Sequence, residues 1–221
     1  MRLASGMASV LTVNTAPTPV DLGRRRSGID KRPSTGPLEV RAPGPRKGGL
    51  GSGVVGDSVC DSKHHGGDDQ AVYAYAREDL DRWEGELDRE LTNGMFGENI
   101  TTSGVDLTNL LIGERWTVGE DGLVLEVTSP RTPCQTFVKW LGIPGWIKTF
   151  TAMGHPGAYF RVIEPGTMRA GDRIEVISRP DHDVTISMVF RALMGESALY
   201  PALAPADALP DKIKAQVAKR S

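Results

Sequence analysis

The chain has 221 residues, of which 39% are hydrophobic and 24% charged, and its formal net charge is −2. This length allows one large domain, or one domain with a small appendage. No apolar run approaches the roughly 20 residues that a membrane span requires, and the first ten residues contain no apolar stretch long enough for a secretory signal. The sequence therefore predicts a cytoplasmic protein without membrane contact.

Charge is distributed unevenly along the chain. Residues 1–50 contain nine basic and three acidic side chains, whereas residues 68–90 contain nine acidic and three basic ones. A basic first quarter indicates an anionic partner, either nucleic acid or a phosphorylated cofactor; a solvated basic loop is the alternative. Because residues 1–50 include no aromatic side chain, we expect no nucleic-acid polymer as the partner.

The first part of the chain predicts short strands separated by turns. Residues 8–14 are rich in β-branched side chains, which favour a strand, and the polar, basic residues 21–27 are typical of a hairpin connection. Residues 28–33 predict an edge strand because their proline cannot donate to a central ladder. Residues 37–41 alternate as a half-buried strand does, and the glycine- and proline-rich stretch 43–56 predicts a flexible loop without an element of its own.

The middle of the chain predicts one clear helix and a central hairpin. Residues 71–76 fit either a strand or the start of a helix. Past Arg77, apolar residues recur at three- and four-residue spacing, which predicts an amphipathic helix packed on the core. Residues 113–119 predict a strand, and the Asp-Gly pair at 121–122 predicts a tight hairpin turn into a further strand at 123–127.

The last part of the chain changes from strands to helices. Its predicted elements are a mobile or helical cover, two strands and two short helices, at residues 137–150, 157–166, 170–177, 184–194 and 211–217. Strands at this density, with turn signals between them, predict a mainly β (α+β) protein with a barrel or a sandwich. We therefore expect a β domain over residues 8–180 and a small helical C-terminal region over residues 181–221.

The stretch with the most distinctive chemistry is 129–134, with the sequence Ser-Pro-Arg-Thr-Pro-Cys. It follows the strand at 123–127, so we expect it on the loop where that strand ends. Two prolines fix the backbone path and hold the Cys134 thiol and the Arg131 guanidinium on a stiff loop. Such a thiol could act as a nucleophile, a redox centre or a ligand for a soft metal. A disulfide with the other cysteine, Cys60, is disfavoured in a reducing compartment, and no zinc-type spacing is present.

A second stretch, His64-His65-Gly66-Gly67, combines two imidazoles with two glycines. The glycines allow a sharp turn that can present an imidazole and backbone N–H groups to a ligand. The alternative is purely structural, with one histidine hydrogen-bonded and the other exposed. The sequence alone leaves both interpretations open.

Four segments together resemble a MOSC domain, the type found at the C-terminus of molybdenum cofactor sulfurase. They are Lys63-His64-His65-Gly66-Gly67, Phe96-Gly97-Glu98-Asn99-Ile100-Thr101, Pro130-Arg131-Thr132-Pro133-Cys134, and the turns Pro165-Gly166 and Gly171-Asp172. Their order and spacing, with the helical tail, are similar to the bacterial YiiM subgroup in particular. The resemblance covers nearly the whole chain. It implies a MOSC-type β-barrel with a few helices, and a bound molybdenum cofactor, which is a pyranopterin dithiolene with a terminal phosphate.

The resemblance also implies roles for individual residues around that cofactor. Cys134 matches the family cysteine that ligates molybdenum, a metal for which a thiolate is a suitable soft ligand, and Arg131 would lower the pKa of its thiol. Lys31 and Arg32 would meet the cofactor phosphate. The other implied cofactor contacts are Asn99, Thr101, Tyr159 and His65, and His65 would also be a second catalytic residue beside Cys134.

Three functions follow as hypotheses. The resemblance implies first a molybdenum-dependent reductase of N-hydroxylated compounds, such as N-hydroxylated purine or pyrimidine bases. Its electrons would come from an external flavin or iron–sulfur protein, because this chain contains no motif for either group. The second hypothesis is a carrier that holds the cofactor or activated sulfur without turnover of its own. The third is metal-free thiol chemistry, with Cys134 as the nucleophile and His65 as the base.

Overall fold

The computed structural model describes residues 7–23 and 25–220. Residues 1–6 of the basic first quarter, Arg24 in the predicted hairpin connection and Ser221 in the predicted C-terminal region lie outside the described residues. The strands are β1 (Ser9–Thr15), β2 (Val20–Asp21), β3 (Arg26–Ser27), β4 (Arg32–Pro33), β5 (Leu38–Val40), β6 (Val72–Ala76), β7 (Ile100–Ser103), β8 (Arg115–Val118), β9 (Leu123–Pro130), β10 (Ala158–Glu164), β11 (Gly166–Met168) and β12 (Ile174–Ser178). The α-helices are α1 (Arg77–Leu87), α2 (Gln135–Leu141), α3 (Trp146–Met153), α4 (Ile186–Leu193) and α5 (Asp211–Arg220), and short 3-10 helices lie at Asp68–Gln70, Leu107–Asn109 and Ser197–Leu203.

Eight of these strands form one mixed sheet in the order β12-β8-β9-β10-β6-β7-β1-β4. Neighbouring strands are antiparallel except for β6 and β7, which are parallel. A parallel pair needs a crossover connection, and here that connection carries α1. The remaining strands form two short ribbons, β2 with β3 and β5 with β11. The predicted hairpin at 21–27 and the predicted edge strand are confirmed by β2–β3 and by β4.

A closed β-barrel, the arrangement that the resemblance implies, is not found as a continuous ladder among the described residues. The two ends of the sheet do approach each other: the Val10 N–H donates to the Asp172 carbonyl at 2.8 Å, and an isolated bridge joins Ser9 to Arg173. The contact stays short because β4 pairs with the other end of β1. The fold is therefore α+β with an open mixed sheet, which corrects the predicted barrel.

The central hairpin is confirmed, and it positions the cysteine loop. Strands β8 and β9 pair across the predicted Asp-Gly turn. Strand β9 runs further than predicted, because Ser129 and Pro130 still pair with β10. The loop that presents Cys134 therefore comprises only residues 131–134, between the sheet on one side and α2 on the other.

Residues 71–76, which fitted two kinds of element, form the fully buried strand β6. The preceding stretch 43–56 contains no helix or longer strand, as predicted, but it is not free of the core. The Gly53 N–H donates to the Ala71 carbonyl at 2.8 Å, just before β6, and Ser52 and Val54 are buried. These contacts attach the loop to the start of β6, where the sequence predicted flexibility.

The hydrophobic core has two parts. In one, α4 buries Ile186 and Val189 among side chains of the large sheet. The other is an aromatic cluster between α1, α2 and α3, in which the Trp83 and Trp146 rings lie 4.7 Å apart. The helical cover predicted at 137–150 is confirmed as α2 and α3. The predicted boundary between residues 8–180 and 181–221 stays a prediction.

Membrane insertion has no support in the helices of the described residues. None of them combines the length and the apolar character that crossing a bilayer requires.

Candidate functional site

A cavity of about 510 Å³ opens where β9 ends and α2 begins. Its wall is built from segments that are far apart in sequence, including the β2–β3 ribbon, residues 57–66, β6, the turn before β7 and the loop 131–134. This volume lies in the range of small-molecule and cofactor sites.

Cys134 directly precedes α2, where it occupies the N-cap position with an extended backbone (φ −131°). Its side chain is partly buried and forms no disulfide. Because α2 starts at the next residue, the first N–H groups of the helix lie close to the thiol sulfur. The sequence order strand, proline-bracketed loop, helix thus places one thiol at the cavity wall.

The thiol of Cys134 has a pKa lowered to about 6. Burial by itself would raise this pKa, but a hydrogen bond with His65, the positive charge of Arg131 and the Phe137 N–H lower it by more than burial raises it. Near neutral pH the side chain is therefore mainly a thiolate. A thiolate is the form that ligates metals and attacks electrophiles.

Arg131 is held as a fixed cation beneath the cavity wall. Its side chain is buried, and its guanidinium carbon lies 3.8 Å from the centroid of the Phe137 ring and 5.2 Å from that of Tyr73. Its Nη1 donates a hydrogen bond to the Phe96 carbonyl. These cation–π and hydrogen-bond contacts keep the guanidinium charge near Cys134, and this charge favours the thiolate form of Cys134.

Asp57, which the sequence analysis did not select, organises the inner wall of the cavity. Its carboxylate accepts hydrogen bonds from Lys31 Nζ at 2.6 and 2.5 Å, from Ser52 Oγ at 2.9 Å and from Asn99 Nδ2 at 2.9 Å. It also accepts the backbone N–H of Ala16 at 3.0 Å. Four separate chain segments therefore converge on one buried carboxylate. Residue type alone could not show this, because an aspartate in a glycine-rich loop is usually exposed.

The two histidines have different environments. His65 lies on the cavity wall with Cys134 and lowers the pKa of its thiol, whereas His64 is exposed and its Nδ1 lies 3.0 Å from Asp61 Oδ2. The glycines that follow are needed for close approach: both have φ near +80°, and a Cβ atom on Gly66 would lie 2.6 Å from the carbonyl oxygen of Gly51. The turn is therefore packed against the loop 43–56, and this packing places His65 beside Cys134.

Six of the eight residues predicted to form the site line the cavity, namely Lys31, His65, Asn99, Arg131, Cys134 and Tyr159. Arg32 does not, because neighbouring residues of an extended chain point in opposite directions: its side chain is 62% exposed and pairs with Asp30 at 2.7 Å. Thr101 does not either. It is fully buried, and its hydroxyl donates to the Glu98 carboxylate at 3.0 Å.

Glu98 explains the role that Thr101 has instead. This buried carboxylate accepts the N–H groups of Gly94 at 2.5 Å and Phe96 at 3.1 Å, and burial raises its pKa. It thereby fixes the turn at residues 94–97, which carries Gly97 to the cavity wall. Thr101 and Glu98 support the site from behind without facing it.

Three basic side chains on the cavity wall were not selected by the sequence analysis: Arg25, Arg26 and Lys63. All three are exposed, and none forms an ion pair within the described residues. Lys31, in contrast, is already neutralised by Asp57. The excess of basic residues in the first quarter was the available signal for Arg25 and Arg26, but it did not indicate which of those nine cations face the cavity, and Lys63 lies outside that quarter.

The donor set of the cavity can be compared with the ligand that the resemblance implies. In the described part of the chain, no group of three or more histidine, cysteine, aspartate or glutamate side chains could hold a bare metal ion. Cys134 offers a single soft thiolate, so the remaining metal ligands would have to belong to the bound molecule. The cationic rim suits an anionic group. The residues present therefore fit a large anionic ligand that brings its own metal ligands.

The lowered pKa of Cys134 predicts how its reactivity depends on pH. In metal-free protein, the rate of alkylation by iodoacetamide should be high above about pH 6 and fall as the pH is lowered through that value, because the reactive thiolate is then protonated. His65→Ala removes the hydrogen bond that lowers this pKa most, so the midpoint should move upward. Mass spectrometry of the peptide containing Cys134 separates this rate from that of Cys60. An unchanged midpoint in His65→Ala would contradict the assigned cause.

Comparisons with known proteins agree on one family. The family model described as "MOSC domain" matches residues 61–175. A protein named "Reductase" from Gibberella moniliformis is 30% identical over 224 aligned positions, covering 91% of this chain and 37% of that protein. Protein YiiM from Escherichia coli is 31% identical over 137 positions, covering 61% of this chain and 60% of that protein.

The solved structures give the same result for the fold. The crystal structure of YiiM from Geobacillus stearothermophilus superposes with a TM-score of 0.76 at 25% identity, and the match covers 96% of this chain and 98% of that one. The chain spans less than two thirds of the length of the two curated relatives described above. The family match, the cavity and the position of its cysteine lead to one conclusion: this chain belongs to the MOSC domain family and is related to YiiM.

Proposed function

We propose that this protein is a molybdenum-cofactor-binding oxidoreductase that reduces N-hydroxylated compounds, such as N-hydroxylated purine or pyrimidine bases. Membership of the MOSC family and a relative named "Reductase" support a reductase in general terms. The observation that carries the finer proposal is Cys134, a thiol with a pKa of about 6 on the wall of a 510 Å³ cavity. A thiolate in this position is suited to ligate a soft metal whose other ligands come from a bound molecule.

The cationic rim supports a phosphorylated ligand, but the residues available to contact the phosphate differ from those that the resemblance implies. Lys31 was expected to meet the cofactor phosphate, but it is engaged by Asp57 at 2.5 Å. Arg25, Arg26 and Lys63 carry unpaired charges on the same wall and can form charge-assisted hydrogen bonds with phosphate oxygens. We therefore assign the phosphate subsite to these three residues, with Lys31 and Asp57 as the support of the inner wall.

When bound, the cofactor would supply the two-electron redox centre that reduces an N–OH group to N–H. The side chains of this protein would bind the cofactor and the substrate and orient them. The Tyr73 and Tyr159 rings, 4.8 Å apart, form an apolar face that suits a planar heterocycle. The His65 imidazole lies on the same wall as Cys134 and is the type of side chain that most often serves in general acid–base catalysis.

The electron donor would be a separate flavin or iron–sulfur protein. The relative named "Reductase" is far longer than this chain, and only 37% of it aligns here. A flavin or iron–sulfur partner would supply the electrons, because this sequence contains no motif for either group.

The test of the proposed function is metal analysis of purified full-length protein, combined with turnover measurements. Protein produced with molybdate should contain close to one molybdenum and one pterin per chain, and should reduce 6-N-hydroxylaminopurine to adenine with a chemical electron donor. Protein produced with tungstate in place of molybdate should lose this activity. Full activity without molybdenum would contradict the proposal and favour metal-free thiol chemistry.

The same thiolate supports a second candidate function, that of a cofactor or sulfur carrier. A thiolate of lowered pKa can attack the outer sulfur of a persulfide on a donor protein and take over that sulfur as its own persulfide, while the donor leaves as a thiolate. This candidate differs in its readout, because it predicts a mass increase of one sulfur atom on Cys134 and no reduction of N-hydroxylated bases. Intact-protein mass spectrometry on the sample used for metal analysis separates the two functions.

A further inference from the structure

The polar side chains around Asp57 on the inner cavity wall are hydrogen-bonded to one another, whereas the side-chain oxygen of Gln70 on the same wall is not. Asn99 has little hydrogen-bonding capacity left: its Oδ1 accepts the Tyr73 N–H at 3.2 Å, and its Nδ2 donates to Asp57 at 2.9 Å and to the Asn14 carbonyl at 3.4 Å. Lys31 is paired with the same aspartate. These groups hold the wall together, so they are poorly placed to recognise a ligand as well.

Gln70 is the exception. It lies on the cavity wall at the end of the 3-10 helix Asp68–Gln70, and its side-chain Oε1 is shielded from solvent. This oxygen has no hydrogen-bond partner among the residues that the structure describes. A buried acceptor without a partner lowers the stability of the folded protein, so its presence calls for a compensating role.

The backbone around Gln70 is pinned on several sides, so the side chain cannot move away with its segment. The carboxylate of Asp68 accepts the Gly44 N–H at 2.8 Å, and the carbonyl of Asp69 accepts the Thr128 hydroxyl at 2.6 Å. The Gln70 N–H itself donates to the Gly67 carbonyl at 2.9 Å. The backbone that carries the Gln70 side chain is therefore fixed at the cavity wall, which lowers the conformational cost of binding a ligand there.

We propose that Gln70 is a specificity-determining residue whose Oε1 accepts a hydrogen bond from an N–H group of a planar, nitrogen-rich ligand. Under the proposed function, on which the identity of the ligand rests, two molecules carry such a group: the pterin ring of the cofactor and the N-hydroxylated base. Both present an amino or amide N–H at the edge of a flat heterocycle. A site built to bond that N–H discriminates strongly against analogues that lack it.

The variant Gln70→Met tests this inference, because methionine has nearly the same length and shape but no amide. Removing an unpartnered buried acceptor should raise the thermal unfolding midpoint of the metal-free protein by about 2–4 °C. The same change should weaken binding of the ligand by roughly ten-fold, through loss of one hydrogen bond in an enclosed site. A merely structural glutamine would give the opposite sign of the stability change.

The matched control is Gln216→Met in α5. The Oε1 of Gln216 accepts the Tyr200 hydroxyl at 3.0 Å, away from the cavity. Its replacement should lower the unfolding midpoint slightly and leave ligand binding unchanged. The two variants thus distinguish a ligand-recognising glutamine from a structural one. The unfolding midpoint should rise in Gln70→Met and fall slightly in Gln216→Met, and ligand binding should weaken only in Gln70→Met.

Binding is measured by calorimetric titration of the full-length, metal-free protein with two probes, pterin and 6-N-hydroxylaminopurine. Weaker binding of pterin alone assigns Gln70 to the cofactor, and weaker binding of the purine alone assigns it to the substrate. A lowered unfolding midpoint, or unchanged binding of both probes, would overturn the inference. These readouts need no molybdenum and no turnover, so failure of the proposed function would be seen separately in the metal analysis.

Discussion

Under the proposed function, replacing Cys134 with alanine is expected to leave purified protein with less than about one tenth of the wild-type molybdenum, and to reduce turnover of N-hydroxylated bases by more than about 100-fold. The physical reason is that Cys134 is the thiolate on the cavity wall with a strongly lowered pKa, held by His65, Arg131 and the start of α2. No cluster of other ligating side chains in the described residues could replace it. Metal analysis and initial rates on the same preparation provide the measurement.

The matched control is Cys60→Ala, which removes the other thiol of the chain from the rim of the same cavity. The Cys60 side chain is exposed, and we expect this variant to keep its molybdenum. We expect Cys134→Ala to keep its fold, because the thiol is only partly buried. An unchanged circular dichroism spectrum would show this. Full molybdenum content in Cys134→Ala would contradict the assignment of Cys134 as the molybdenum ligand.

Replacing Asp57 with alanine is expected to lower the free energy of unfolding by about 3–5 kcal/mol, because a buried lysine would lose its partner. The side chains of Lys31 and Asp57 are only 7% and 1% exposed. Asp57→Ala also leaves the donors of Ser52 and Asn99 without their acceptor. This loss is large enough to abolish folding of a marginally stable domain, and urea unfolding would measure it.

Comparison of Lys31→Met with Asp57→Ala tests the cause. Lys31→Met should cost less, because Asp57 then keeps its neutral hydrogen bonds, and the double variant should cost less than the two single changes added together. Asp61→Ala is the surface control: its pair with His64 is exposed, so its removal should change stability by no more than about 0.5 kcal/mol. Additive costs for the inner pair would contradict the proposed charge coupling.

The local elements of this fold were predicted well from sequence, because each is encoded by short-range patterns. The helix after Arg77 follows from the spacing of its apolar residues, and the β8–β9 hairpin follows from one Asp-Gly pair. The reach of β9 to Pro130 was missed, since pairing with β10 extends the strand past the point where its apolar run ends. The predicted barrel was wrong as a closed ladder, because closure depends on how two distant strand edges meet.

The residues of the candidate site, like the elements of the fold, were predicted only in part from sequence. Adjacent residues illustrate the limit: Lys31 and Arg32 carry the same charge, but the extended backbone turns one into the cavity and the other into solvent. Thr101 and Asn99 are two residues apart, a spacing that places side chains on the same face of a regular strand, but Asn99 precedes β7 and binds Asp57, whereas Thr101 lies within β7 and donates to Glu98. For adjacent residues such as Lys31 and Arg32, alternation predicts opposite faces, but it does not say which face is the site.

The sequence by itself determined that this chain has short strands, one long amphipathic helix and a stiff loop carrying Cys134, because local spacing and backbone restriction encode these features. It also indicated the MOSC family through four short segments. Only the tertiary structure decided that Asp57 neutralises Lys31, that Arg25, Arg26 and Lys63 form the free cationic rim, and that Gln70 keeps an unpartnered acceptor. These facts depend on contacts between residues that are distant in the sequence, as in the Lys31–Asp57 pair, whose partners are 26 positions apart, and burial and charge pairing at that range are set by packing alone.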